Sequence, residues 1–415
     1  MMNRKIQKIF FGLGALMAAL AASSCSMMTE DTDYCPNGLY VRFVYDYNTQ
    51  RADMFKDHIG HVKLMLFDTL GNKVAEKEVS NTADRQPLAD YGYTIHFDPS
   101  ELKTGVYRLQ AVAMQRDWAE AEATAGAKYR RNDVSRHDEL HISLDHEAQP
   151  IGGTAQYAVS DAAPLDTLWH TLKVMSHMPQ DGVDIPSMHR TSRPYSIYPL
   201  NEQYVTVMAD RATYATVSLI RDTKHLNITL RELDEPESVT ADKYEVKIMD
   251  NNAHLAHDNA VETHDSVRYT PYAVWTTRFL DNGLMEIETV HKGNPGQYNV
   301  ASNAGGNEEA TVVQRTAHYN LMFNRLMYNE SDNADNAILQ ITNKETGDVV
   351  AHINLPSVLS QGRDAYEIYN YGHQEYLDRE YDYHLDFFLR GDKWLYCDIV
   401  INVLSWSKRV QRVEL

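Results

Sequence analysis

The chain has 415 residues, 58 of them acidic and 39 basic, and a formal net charge of −19. So acidic a surface repels phosphate backbones and anionic headgroups, which argues against nucleic acid as a partner. Three cysteines, Cys25, Cys35 and Cys397, make neither a disulfide framework nor a Cys-based metal site.

Arg4, Lys5 and Lys8 precede an apolar run from Ile9 to Ala22, interrupted only by Gly12 and Gly14 and followed by Ser23, Ser24 and Cys25. That run is shorter than the roughly 20 residues a spanning helix needs. Its charged start and small-residue end are those of a secretory signal. Leu20-Ala21-Ala22-Ser23-Ser24-Cys25 resembles a bacterial lipobox, so residues 1–24 read as a signal peptide and Cys25 as a lipidated mature N-terminus. Ordinary cleavage near Ser24 is the alternative. Removing residues 1–24 leaves 391 residues with a net charge of −22, enough for two or three domains at roughly 150 residues each. With Cys25 acylated, only Cys35 and Cys397 remain to pair, and Cys397, flanked by alternating apolar residues, reads as a buried thiol.

Residues 25–36 are polar and acidic and read as a tether. Strand-like alternation follows at 39–47, 61–67, 73–79, 91–97, 105–114, 138–144 and 168–175, with a short helix expected within 115–132. These make an N-terminal β-sandwich domain, 37–180. The Pro-rich stretch 181–203, with a hinge inside 177–203, is the expected linker. Further strands at 213–220, 224–230, 243–249, 283–290, 310–315, 337–342, 349–355, 383–389 and 394–403 make a second domain, 204–415. Polar stretches at 250–268 and 291–309 read as long loop insertions.

Chemistry-bearing motifs are sparse. His137, His141 and His146 surround one strand, where alternation brings at most two to one point. His254, His257 and His264 lie in the first insertion with Asp258 and Asp265, without fixed ligand spacing. No HExxH, GxSxG, Walker or GxGxxG pattern occurs. Arg390-Gly391-Asp392 reads as hairpin chemistry between two strands rather than an adhesion tripeptide, and Ser331–Asn336 as a polar turn rather than a calcium loop. Neither an enzyme nor a cofactor is expected. The tyrosines of 366–383 read either as an exposed contact surface or as half-buried packing.

Several segments, in order along the mature chain, resemble the FimB-type minor fimbrial anchor family of Bacteroidetes. They include Cys35–Tyr47, His61–Asp68, Leu168-Trp169-His170, Ala215–Leu230 and Phe323–Met327. Gln374–Glu380, Phe387–Leu389 and Ile401–Trp406 resemble that family's ending. The resemblance implies an all-β fold of two tandem transthyretin-like antiparallel β-sandwich domains. It also implies a lipoprotein of the outer membrane, held through Cys25, that anchors a type V pilus and binds its shaft subunits (pilins). In such pili the resemblance implies that shaft subunits lose an N-terminal strand by proteolysis, and a neighbour's strand fills the groove. An anchor cut at Arg42 or Arg51 would lose its lipid, so its first strand is expected to stay in place. The pilus contact then falls on the C-terminal domain, with Tyr366, Tyr369, Tyr371 and Tyr376 as candidate contacts. Asp68-Thr69-Leu70, Asp166-Thr167-Leu168 and Asp265-Ser266-Val267 resemble the short O-glycosylation motif of this bacterial group. The alternative function is a surface glycan-binding lipoprotein presenting aromatic platforms.

Overall fold

The structure, a computed structural model, describes residues 37–90, 93–123, 128–151, 154–159, 163–177, 204–209, 211–262, 266–294, 311–330, 336–366, 368–391, 393–403 and 406–414. Residues 1–36, including Cys25, Cys35 and the tether, lie outside the described residues, as do 181–203, 295–309 and 331–335.

The first strands are β1 (Leu39–Val44), β2 (His61–Phe67), β3 (Lys73–Ser80), β4 (Thr94–Phe97) and β5 (Gly105–Met114). Their sequences explain their places. In β2, Val62, Leu64 and Leu66 enter one core while Met65 and Phe67 enter another, so the strand is apolar on both faces. In β3, exposed and half-buried residues alternate through Lys- and Glu-rich sequence, which suits a sheet margin. The turn between them is closed by the Asp68 carboxylate, which accepts the Leu70 and Asn72 N–H groups at 2.9 and 2.8 Å. Gly71 supplies the left-handed residue (φ +85°).

The chain then leaves this sheet through the helix Trp118–Ala123 and forms β6 (Tyr129–Arg131), β7 (His141–Leu144), β8 (His146–Ile151) and β9 (Thr154–Val159). It returns as β10 (Leu168–His177), β11 (Tyr204–Val207) and β12 (Thr213–Arg221). The completed eight-stranded sheet runs β3-β2-β5-β10-β12-β1-β4, with β11 pairing the start of β5. It wraps a core that includes Leu39, Phe43, Leu64, Trp169, Val217 and Leu219.

The second half contains β13 (Lys224–Glu232), β14 (Tyr244–Asp250), β15 (His254–Ala256), β16 (Val261–Glu262), β17 (Val267–Tyr269), β18 (Ala273–Leu280) and β19 (Met285–Lys292). It continues with β20 (Val312–Phe323), β21 (Ile338–Asn343), β22 (Val349–Asn354), β23 (Asp382–Arg390), β24 (Lys393–Val403) and β25 (Trp406–Glu414). One sheet runs β19-β18-β20-β13-β23-β24-β25, a second β22-β21-β14-β17-β9-β8, and a small third β16-β15-β7-β6. Ile142, Leu226, Tyr319, Leu339 and Leu385 belong to the core they share.

The all-β expectation holds, with two separate cores, but three details differ. First, the strands are not all antiparallel: β1 lies parallel to β12, β13 to β23 and β9 to β17. Second, the expected domains 37–180 and 204–415 divide the chain in the wrong place. β11 and β12 pair within the first sheet, whereas β7 and β9 pair with β15 and β17 and carry Ile142, Leu144 and Val159 into the second core. The change of core falls between Arg221 and Lys224, where Asp222 and Thr223 are fully buried. Prolines mark where ladder pairing is disfavoured, not where a chain changes core. Third, the segment 250–268 is not a plain loop: β15, β16 and β17 lie in it, tied to β7 and β9.

Candidate functional site

The expected contact tyrosines lie where the two halves meet, and the surrounding geometry shows what they do. Three segments converge there: Tyr45–Arg51 after β1, Arg221–Lys224 between β12 and β13, and Tyr366–Tyr383 leading into β23. The first is shaped by Asn48, whose side-chain amide donates to the Tyr45 and Ala52 carbonyls at 3.0 and 2.8 Å. Arg51 has a left-handed backbone (φ 53°), a strained state for a long side chain. Two contacts hold it. Its Nε donates to the Tyr371 hydroxyl at 2.9 Å, and its guanidinium lies 3.8 Å from the Tyr369 ring centre.

The middle segment is a buried polar spine. Lys224 Nζ donates to the carbonyls of Asp378 and Glu380, both at 2.9 Å, and burial lowers its pKa to about 8. Arg325 grips both carboxylate oxygens of Asp378 at 2.7 Å. Glu380 is buried, which raises its pKa, and it accepts the Thr49 hydroxyl at 3.2 Å from across the seam. Arg379 covers the Tyr47 ring at 3.9 Å, and Arg221 covers Tyr381 at 4.3 Å. Asp222 bonds His170 Nδ1 at 2.6 Å, and Thr223 accepts the Leu168 N–H at 3.0 Å. The seam is therefore a charge-assisted interlock.

Of the four candidate contacts, Tyr371 is 3% and Tyr376 1% exposed. As contacts to an outside partner these two are corrected: their rings pack on Tyr366, and Tyr376 meets Tyr383 edge-on. Burial also pushes the half-buried Tyr366 hydroxyl up to about 12. Tyr369, 43% exposed, and its neighbour Ile368, 93% exposed, form the outward rim. Arg51, Thr49, Lys224, Arg325, Asp378 and Glu380 were not anticipated. Only Arg221-Asp222-Thr223-Lys224 carried a signal, four polar residues between two long alternating runs without glycine or proline.

Other constellations carry little. Ser80, His61 and Glu78 line up at 2.7 and 3.2 Å in a triad-like order. Ser80 donates its hydroxyl to Asp117 at 2.5 Å, so His61 faces the oxygen's lone pair rather than its proton. His141 pairs with Glu262 at 3.1 Å, and among the described residues no cluster of three or more His, Cys, Asp or Glu could hold a metal. Cys397 is a buried thiol whose pKa burial raises. Arg390 ends β23, Gly391 turns at φ +55° and Lys393 opens β24, the expected hairpin; Asp392 lies outside the described residues. Of the glycosylation-like motifs, Asp68-Thr69-Leu70 is an exposed turn, Asp166-Thr167-Leu168 is buried, and Asp265 lies outside the described residues. Tyr214, Tyr40 and His96 form a ladder across β12, β1 and β4. Their rings stack face to face, 4.1 and 5.3 Å between centres, so they spend their faces on each other and make no coplanar platform.

The profile of the Mfa2 family, fimbrillin-A associated anchor proteins Mfa1 and Mfa2, matches residues 32–412. The chain belongs to this family of fimbrial anchor proteins, and its role is fimbria-associated. Among solved structures, a candidate adhesin from Bacteroides thetaiotaomicron is 20% identical over 91% of this chain and 99% of its own, with a TM-score of 0.59. A candidate polysaccharide-binding protein of the same organism is 22% identical over 91% and 99%, with a TM-score of 0.57. The fimbrial anchor protein Mfa2 of Porphyromonas gingivalis is 15% identical over 91% and 100%, with a TM-score of 0.47. The first two likenesses concern the fold alone. A search of the curated proteins finds no match to the chain.

Proposed function

We propose that this protein is a lipoprotein that holds a fimbria at the outer membrane through an acyl chain on Cys25 and takes no catalytic part. The observation that carries the reading is the place of β1. It pairs with β12 over six residues and with β4 over four, in the interior of the first sheet. Taking it out would open a groove between β12 and β4, the vacancy a shaft subunit needs for strand addition. Residues 45–51 beyond it are locked into the seam, so taking the strand out would disturb both halves. An anchor that keeps this strand keeps both its lipid and its closed groove. The shaft then meets the second half, and Ile368 and Tyr369 are the exposed part of the tyrosine region open to such a contact.

The test is fractionation and capture. Cys25→Ala should release a folded protein from the membrane fraction, and the native protein should capture fimbrial shaft subunits rather than insoluble polysaccharide. A variant still membrane-bound after a high-salt wash would refute the lipid anchor. Capture of polysaccharide in place of shaft subunits would favour the glycan-binding alternative.

A further inference from the structure

Beside the seam, five side chains close a ring. Tyr45 follows β1, His58 ends the short helix Phe55–His58, Trp169 lies in β10, Arg221 ends β12 and Tyr381 precedes β23. The Arg221 guanidinium lies 4.3 Å from the Tyr381 ring centre and 5.5 Å from that of Trp169. Tyr381 meets His58 edge-on at 5.6 Å, His58 meets Tyr45 at 5.9 Å, and Tyr45 meets Trp169 at 5.9 Å.

Every member brings a hydrogen-bond donor, and none is a carboxylate. Arg221 is only 6% exposed. Its Nε donates to the Thr223 carbonyl at 2.9 Å, its one hydrogen-bond acceptor among the described residues, and no carboxylate there forms an ion pair with it. The two rings give it cation–π contact, but its Nη N–H bonds still need acceptors. The surrounding carboxylates are spent elsewhere: Asp222 on His170, Glu380 on Thr49 and two backbone N–H groups, Asp382 on His225. In a chain with 58 acidic residues against 39 basic ones, a buried cation without a counter-charge calls for an explanation.

The neighbours of Arg221 point the same way. The Tyr45 hydroxyl and the Trp169 indole N–H, both on fully buried residues, have no hydrogen-bond partner among the described residues. A small shift could let the indole donate to the Tyr45 oxygen, and the Tyr45 O–H would still need an acceptor. Burial raises the pKa of Tyr45 and of Tyr381, and Arg221 is the largest charge opposing that rise at both. Burial lowers the pKa of His58, and Arg221 lowers it further. The guanidinium's charge thus reaches all three groups.

We infer that this ring binds a carboxylate, its two oxygens on the Nη edge of Arg221 and one of them accepting the Tyr45 O–H. The parallel N–H bonds of a guanidinium match a planar carboxylate. A phosphate would bring a second negative charge, and the ring holds no second permanent cation to meet it. The group can arrive free, as a small carboxylic acid, or on the side chain of an acidic peptide. His58 and Tyr381, both half-buried, form the side of the ring nearest solvent. The inference rests on neither the lipid at Cys25 nor the position of the shaft contact.

The test uses the protein carrying Cys25→Ala in a zwitterionic buffer. Saturation-transfer NMR should show acetate bound and methylammonium not. Tyr45→Phe removes one hydroxyl and keeps the ring packing, so it should weaken acetate binding about threefold or more with circular dichroism unchanged. Arg221→Gln should weaken it about tenfold or more, but it also removes seam contacts, so Tyr45→Phe decides. A second arm compares the peptide acetyl-Gly-Glu-Gly-amide with its Gln counterpart. Acetate binding that is sensitive to Tyr45→Phe supports a free acid as the ligand. Binding of the Glu peptide alone, equally sensitive, assigns the ring to an acidic side chain of a partner. No binding of either, binding unchanged in Tyr45→Phe, or displacement of acetate by equimolar chloride would overturn the proposal.

Discussion

Each half of the molecule is organised around a strand with a parallel partner, and the two partners are supported very differently. In the second half β23 lies along β13 and continues through a tight hairpin into β24, so it is braced by chain on both sides. In the first half β1 lies along β12, but its other neighbour is the short β4, and chain described before it is only Asn37 and Gly38. Because β12 runs into β13 through just Asp222 and Thr223, the segment leaving β1 and the segment entering β23 meet at one junction. One strand near the start of the chain therefore serves the first core and the seam together.

The sharpest way to break this comparison is to remove β1. A chain starting at Ala52 lacks Leu39, Val41, Phe43 and Tyr45, all fully buried, along with Thr49 and Arg51 of the seam. At roughly 1.5–3 kcal/mol for each large apolar side chain, the loss approaches the whole stability of a typical domain. That chain should lack native circular dichroism and resist trypsin poorly, while one starting at Asn37 folds. A stable, folded chain starting at Ala52 would show that β1 is dispensable and the groove openable.

Next in size is the seam's buried ion pair. Asp378→Ala strands Arg325, which is mostly buried, without its bidentate partner. The expected cost is about 3–5 kcal/mol, read as a lower urea midpoint. If the halves are cooperative, trypsin sites in both should become accessible together. Loss of protection in the second half alone would mean that the seam does not couple them.

Lys224 gives a smaller effect with a pH signature. Its folded pKa of about 8 lies below its ordinary value near 10.5, so between these values the unfolded chain binds more protons. Stability from this residue therefore rises as pH rises through 8 toward 10.5. Lys224→Met should cost about 2 kcal/mol at pH 7, mainly through the lost hydrogen bonds to the Asp378 and Glu380 carbonyls, of which Glu380's keeps the Tyr383 hydroxyl at 3.3 Å. The gap between native protein and variant should widen by about 1–2 kcal/mol by pH 9.5. Thermal melts of both proteins across that range check the sign.

The strands themselves were legible because alternation reports a half-buried surface: 61–67 and 105–114 appear with the expected limits. β6, β8, β9, β11, β15–β18 and β25 were not; of these β9, β15 and β17 are short and pair with chain remote in sequence. Domain membership was illegible for the same reason. Nothing in DELHISL says that Ile142 will oppose Leu255 rather than a strand of the first sheet. The tyrosine-rich stretch lies at the seam, and spacing does not distinguish a ring that faces solvent from one capped by an arginine more than 300 residues away. Lys224 and Glu380 look like ordinary surface charges until tertiary structure buries them.

The smallest effects are expected at the rim, and they separate packing from contact. Arg51→Ala removes one hydrogen bond and the cation–π contacts with Tyr369 and Tyr371 while relieving a left-handed backbone only in part, so about 1 kcal/mol should be lost. Ile368→Ser takes away a side chain 93% exposed, and Tyr369→Ala one 43% exposed, so neither should move the urea midpoint by more than about 0.5 kcal/mol. If the rim is where a shaft subunit sits, the two rim variants should capture less of it than the native protein, while Arg51→Ala shows a loss only through disorder of Tyr369. Equal capture by Ile368→Ser, Tyr369→Ala and the native protein would remove the rim from the contact. The tyrosine region would then be internal to the anchor, a device for holding β1 and β23 to one junction.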